Sequence, residues 1–173
     1  MTPFQLERSV HEGEHDDLVG VASGTLVSTQ DGDLPVEFLG VGDRVETLNG
    51  TLATVRHIAV HKRTCRMVHV SSGSFSLDGL FDAISLPPSQ PILVEDWRAR
   101  FIFGRPKVIV AVERLVDHQF VRRQNLRDVD VFHLFFDKPE LVFVGGVYLA
   151  LPGVDMSAQK IPSGGAGGRA SLM

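Results

Sequence analysis

The sequence predicts an all-β domain, and three observations carry that prediction. Short runs rich in Val, Ile, Thr and Phe recur along the chain, separated by turn residues. Asp31-Gly32 and Asn49-Gly50 stand between apolar runs. Both pairs are strong hairpin signals, because they accept the positive φ that tight turns demand. No stretch carries a long apolar stripe at helical spacing, and no unit repeats with a period of ~20–50 residues.

Taken in order, residues 25–29 form a β-branched strand entered through Ser23-Gly24. Gln30-Asp31-Gly32 turns the chain, and a second run ends in Gly42-Asp43-Arg44-Val45. Residues 51–60 read as the next strand, and residues 66–71 alternate as a half-buried strand does. Residues 91–94, 101–103 and 108–112 are further strands, with a short helix or turn within 112–116. Residues 131–136 and 141–147 close the series, joined at Asp137-Lys138-Pro139-Glu140. The boundaries are an acidic, flexible lead-in over 1–19, one β domain over 20–155, and a Gly-rich tail over 156–173 expected to be disordered.

Composition narrows the function classes. The net charge of −4, with no basic stripe, argues against a nucleic-acid partner. No run reaches the ~18 apolar residues of a spanning helix, so no membrane partner is expected. The N-terminus lacks a basic-then-apolar leader pattern. Cys65 is the single cysteine, which excludes an intramolecular disulfide and fits a reducing, cytoplasmic setting. His11-Glu12-Gly13-Glu14-His15 formally matches the His-Glu-x-x-His zinc motif. That motif needs a stable helix to align its histidines, and here Gly13 and the following Asp16-Asp17 oppose one. His57, His61 and His69 lie on one strand-rich stretch. Strand residues four apart stand ~13 Å from one another, too far to share an ion. No metal and no cofactor are expected.

The order of motifs resembles the Hint (hedgehog/intein) family in its stand-alone bacterial form. The opening carries Gly24-Thr25-Leu26-Val27, then Leu34-Pro35-Val36-Glu37, then Val41-Gly42-Asp43-Arg44-Val45. Residues 56–63, 66–70 and 73–75 are similar to the segments that precede the family's middle block. That block is similar to Asp82-Ala83-Ile84-Ser85-Leu86-Pro87-Pro88-Ser89-Gln90-Pro91-Ile92-Leu93-Val94, and residues 108–116 resemble the strand and turn after it. The closing motif is similar to Val131-Phe132-His133-Leu134-Phe135-Phe136-Asp137-Lys138-Pro139. The resemblance spans about three quarters of the chain. It implies a pseudo-two-fold β fold of short strands and hairpins, with exchanged strands that assemble one catalytic corner.

The family chemistry is an intramolecular acyl shift. A Cys attacks the carbonyl before it, because its thiolate is a strong nucleophile. A middle-block His then protonates the departing amide nitrogen. The resemblance places the Cys position at Gly20, the middle-block Ser or Thr at Pro87, the His at Gln90, and the last His of the closing motif at Pro139. Three residues are substitute candidates. Ser23 reads as a turn residue or a replacement nucleophile. Cys65 reads as a packing residue or a thiol activated by Lys62 and Arg63. His133, among Phe132, Leu134 and Phe135, reads as a hydrogen-bonded core residue or a retained catalyst. The leading expectation is a Hint-like protein inactive in autoprocessing, kept as a binding or structural module for an unidentified protein partner. The alternatives are a divergent self-cleaving protein and an unrelated all-β binding protein.

Overall fold

The computed structural model describes residues 18–72, 74 and 82–154. Most of the expected lead-in with its His11 and His15, the matches at Gly73 and Phe75, and the Gly-rich tail lie outside them. Within the described residues the chain is built mainly of antiparallel strands.

Two sheets share the work. The first runs in the order β1 (Val21–Ala22), β10 (Val121–Phe135), β6 (His57–Val70) and β7 (Ile84–Leu86). The second runs β5 (Leu52–Thr54), β4 (Arg44–Glu46), β2 (Leu26–Thr29), β11 (Glu140–Val144), β12 (Val147–Leu151), β8 (Pro91–Val94) and β9 (Val108–Ala111). The hairpin read from Asp31-Gly32 is present, with β3 (Gly32–Pro35) paired to β2 from Thr29–Gly32 to Leu26–Pro35. Gly32 takes the positive φ of 113° that the turn requires.

The centre of the fold is the ladder between β6 and β10, which pairs His57 with Phe135 at one end and Val70 with Val121 at the other. Both of its faces carry buried residues. Val68, Val70 and Leu134 point into a large core that also takes Val27, Val45 and Ile92 from the second sheet. Cys65, Met67, Val129 and Val131 point the opposite way, into a smaller cluster with Leu18 and Ala22. Period-two alternation places the two sets on opposite faces.

The structure corrects five sequence readings. Residues 51–60 are not one strand. At Val55-Arg56 the ladder changes sheets, with the Val55 amide bonded to Asp43 and the Arg56 amide to Phe135. Residues 66–71 and 131–136 are only the ends of strands of 14 and 15 residues. Residues 141–147 split into β11 and β12 around Gly145-Gly146, both at positive φ. Residues 101–103 are helical, the last turn of α1 (Trp97–Phe103). Asp96 caps that helix through the Arg98 amide, and Gly104 ends it in the left-handed region. The expected short helix at 112–116 is a 3-10 turn over Val112–Leu115.

Asp117 sets the entry to β10. One of its carboxylate oxygens accepts from the amides of Gln119, Phe120 and Val121 at 2.8–2.9 Å. Partial burial pushes its pKa up, but those amides and the positive charge of Arg98 outweigh it and leave the pKa below the usual carboxylate value. Asp117→Ala is therefore expected to lower stability at pH 7 by about 1–2 kcal/mol in urea unfolding. A carboxyl depressed in the folded state stabilises above its unfolded pKa of ~3.9, and that contribution is lost as pH falls through the lower folded value. The gap between the two proteins should close below about pH 4. A gap unchanged at low pH would mean that Asp117 acts by packing alone.

Candidate functional site

The candidate site is the corner where the start of β1 meets the end of the 87–90 turn. β1 pairs Val21 with Phe132 and Ala22 with Val131 on β10, which fixes Gly20 against that strand. Gly20 is buried at a φ of 131°. A Cβ there would stand 2.6 Å from the Phe132 carbonyl oxygen and 2.8 Å from a Val131 methyl. Both are shorter than real Cβ contacts, and L side chains rarely adopt that φ. This backbone accepts glycine and resists everything larger.

Gly20 donates its amide to Gln90 Oε1 at 2.8 Å. Gln90 is fully buried. Its amide nitrogen donates to the carbonyls of Pro91 at 2.8 Å and Ala150 at 3.0 Å. The two surrounding carbonyls demand the NH₂ group, so the orientation of the amide follows from its partners. Pro87 is buried and contributes its carbonyl to the Gln90 amide at 3.0 Å. Positions 20, 87 and 90, which the resemblance singled out, are thus linked through Gln90. Pro139 lies apart, exposed in the loop between β10 and β11.

The three substitute candidates are scattered. Ser23 is exposed in the turn after β1, its amide bonded to the Asp130 carbonyl at 2.9 Å. The structure sets one carboxylate, that of Glu37, beside Ser23. Glu37 accepts from the Gly24 amide at 2.7 Å, and the neighbouring Ser23 side chain adds a smaller pull on its carboxyl in the same direction. The Gly24 amide chiefly holds the Glu37 carboxyl below its usual range, which weakens it as a base. Cys65 is buried beside Met67, Sγ to Sδ 3.7 Å. Burial raises its thiol pKa, and the charges of Arg127 and Arg63 offset this only in part. Lys62, expected to activate it, instead pairs with Asp130. His133 stands on β10 half-buried, its ring 4.3 Å from Phe135 and 6.2 Å from His61. Among the described residues no group of three or more His, Cys, Asp or Glu could hold a metal ion.

Sequence reasoning missed two further parts of this region. Glu37 carried a signal, since it stands in the Leu34-Pro35-Val36-Glu37 motif, but its clamp on Gly24 exists only once the hairpin folds. The Ala150 carbonyl carried none, because a backbone acceptor has no sequence signature.

Comparison with known proteins follows this geometry. The family model described as the Hint domain matches residues 19–149. No curated protein matches the chain. Among solved structures it is similar to a bacterial intein-like domain from Clostridium thermocellum, at 16% identity and a TM-score of 0.51, over 79% of this chain and 100% of that one. It is similar to a splice-inactive variant of the AceL NrdHF class 3 split intein, at 12% identity and a TM-score of 0.52, over 79% of this chain and 99% of that one. It is also similar to the MchDnaB-1 intein, at 19% identity and a TM-score of 0.50, over 77% and 99% of the two chains. These likenesses speak to the fold. Among the described residues no helix is long and apolar enough to cross a membrane.

Two substitutions test the corner. Gly20→Ala should destabilise by about 3 kcal/mol or more, from the clash and the φ together. Gln90→Leu should cost about 1–3 kcal/mol, because it strands the buried Gly20 amide without an acceptor. Denaturant unfolding measures both. A neutral Gly20→Ala would mean that this segment shifts freely and that the corner is not locked.

Proposed function

Because the chain belongs to the Hint domain family, we propose that it is a Hint domain inactive in self-cleavage, retained as a binding or structural module. The observation that carries this reading is the Gly20–Gln90 pair. The acyl shift needs a side-chain nucleophile at the first position and a proton donor at the second. Gly20 has no side chain, and its surroundings refuse one. Gln90 has no titratable proton, and its amide is committed to three backbone groups. Where both partners of such a unit are absent, most of the rate enhancement goes with them.

The runner-up is a divergent self-cleaving protein, and the placement of the Glu37 carboxylate beside Ser23 is the observation that favours it. Against it stand the depressed Glu37 carboxyl and the use of that carboxylate to clamp the Gly24 amide. Cys65 is a poorer candidate still, since burial keeps its thiol protonated and out of reach.

Intact mass of the full chain, incubated with and without a thiol nucleophile, separates the two. One species at the mass of all 173 residues is the expected result. A fragment beginning at Ser23, or a break beside Cys65, would overturn the inactive reading and identify the replacement nucleophile.

A further inference from the structure

If the corner is closed, a binding role has to be sited elsewhere, and one open concavity offers a built surface. Two adjoining cavities, about 650 and 270 Å³, share Ala22, Ser23 and Arg127 as walls. They follow one structural gap. β1 is only two residues long, and its last backbone bond to β10 is the Ser23 amide to the Asp130 carbonyl. Gly24, at a φ of 89°, then turns the chain away. Beyond that point β10 continues from Val129 to Arg127 with β6 on one edge, and among the described residues no strand on the other. β7 is the opposite outer strand of the same sheet, and it packs near β1 without a ladder between them. The space between these strands is the concavity, with Ile84 and Ser85 of β7 on its far wall.

A free strand edge is ordinarily open to bulk solvent and guarded by charge. This one is recessed. The β2–β3 hairpin, through Ser28 and Asp33, and the Gly145-Gly146 turn stand around it. The wall residues Ala22, Ser23, Gly24, Gly145 and Gly146 are small, which lets another backbone approach closely. Charge is asymmetric. Asp33, Asp82, Asp128 and Asp130 line the two cavities, against Arg127 and the Lys62 that pairs with Asp130.

We propose that this trench takes an extended, basic peptide segment of a partner protein as an added β-strand along β10. The inference rests on the binding-module reading and gives it a site and a ligand class. Backbone hydrogen bonds to the recessed edge supply affinity, and the aspartates select cationic side chains on one face of the segment.

The test uses the full chain and a fluorescein-labelled Arg-Ala-Arg-Ala-Arg-Ala peptide, read by anisotropy. Saturable binding is expected, weakened by added salt and by about fivefold or more in the Asp33→Asn, Asp82→Asn double variant. A Glu-Ala counterpart and a peptide N-methylated at alternate amides should not bind. Hydrogen exchange on the unmodified protein should slow at residues 127–130 when peptide is present. Equal binding of the N-methylated or acidic peptide, protection elsewhere, or no binding up to 1 mM peptide would overturn the proposal, as would self-association through the same edge, which would assign the trench to a second copy. Failure of peptide binding with an intact mass leaves the inactive reading standing. Cleavage in the mass experiment removes that reading by itself.

Discussion

The long antiparallel ladder between β6 and β10 is the interaction on which the other elements hang. It joins residues far apart in sequence, from the Val70–Val121 pair to the His57–Phe135 pair. β7 is held on its β6 side and β1 on its β10 side. Because both of its faces carry buried residues, it supplies one wall of the large core and most of the small one. Pairing of this separation must be closed before its contacts repay the loop entropy, so the ladder is also the costliest part of the fold to assemble. Arg56 illustrates the dependence. Its amide bonds to Phe135 at the end of β10, and its guanidinium pairs with Asp137 just beyond that strand.

The Gly20 corner follows from that ladder. β1 can pair with β10 only at Val131 and Phe132, and this places Gly20 beneath the Phe132 carbonyl with no room for a Cβ. The Gln90 amide then meets the Gly20 amide and fills its remaining valences with the Pro91 and Ala150 carbonyls. A neutral amide suits a fully buried position because it satisfies both kinds of backbone group without carrying charge. An imidazole there would offer one donor and one acceptor in its neutral form, and one of the two carbonyls would lose its partner. The two positions therefore support one another as a packed, hydrogen-bonded unit. Placing any side chain at 20 would first require Phe132 to move.

What the sequence disclosed, and what it hid, has a physical pattern. The β2–β3 hairpin was legible because Asp31-Gly32 encodes it locally. The proximity of positions 20, 87 and 90 was legible only through the order of motifs, since Gly20 and Gln90 carry no mutual signal. The lengths of β6 and β10 were hidden. Parts of them, including Lys62 and Arg122-Arg123, face solvent, and their strand identity rests on pairing with each other rather than on propensity. α1 was hidden for the opposite reason. Asp96 and Gly104 were readable as caps, but Trp97 and Phe101 point outward instead of forming an inward stripe. The split at Gly145-Gly146 was missed because the apolar residues on both sides read as one run.

The same geometry that closes the corner opens the trench. β1 stops after two residues because Gly24 turns the chain out toward the hairpin, where Glu37 pins the turn by its amide. Had β1 continued, it would have covered β10 to Arg127 and left no recess. A short β1 therefore does two things. It delivers Gly20 to Gln90 at its start, and it exposes a sheltered strand edge at its end. A domain with a sealed corner keeps that edge whatever happens to its chemistry, because the edge is a property of the ladder and the turn rather than of any reactive side chain. That is the physical reason why a glycine locked at position 20 leaves the fold with a surface to use.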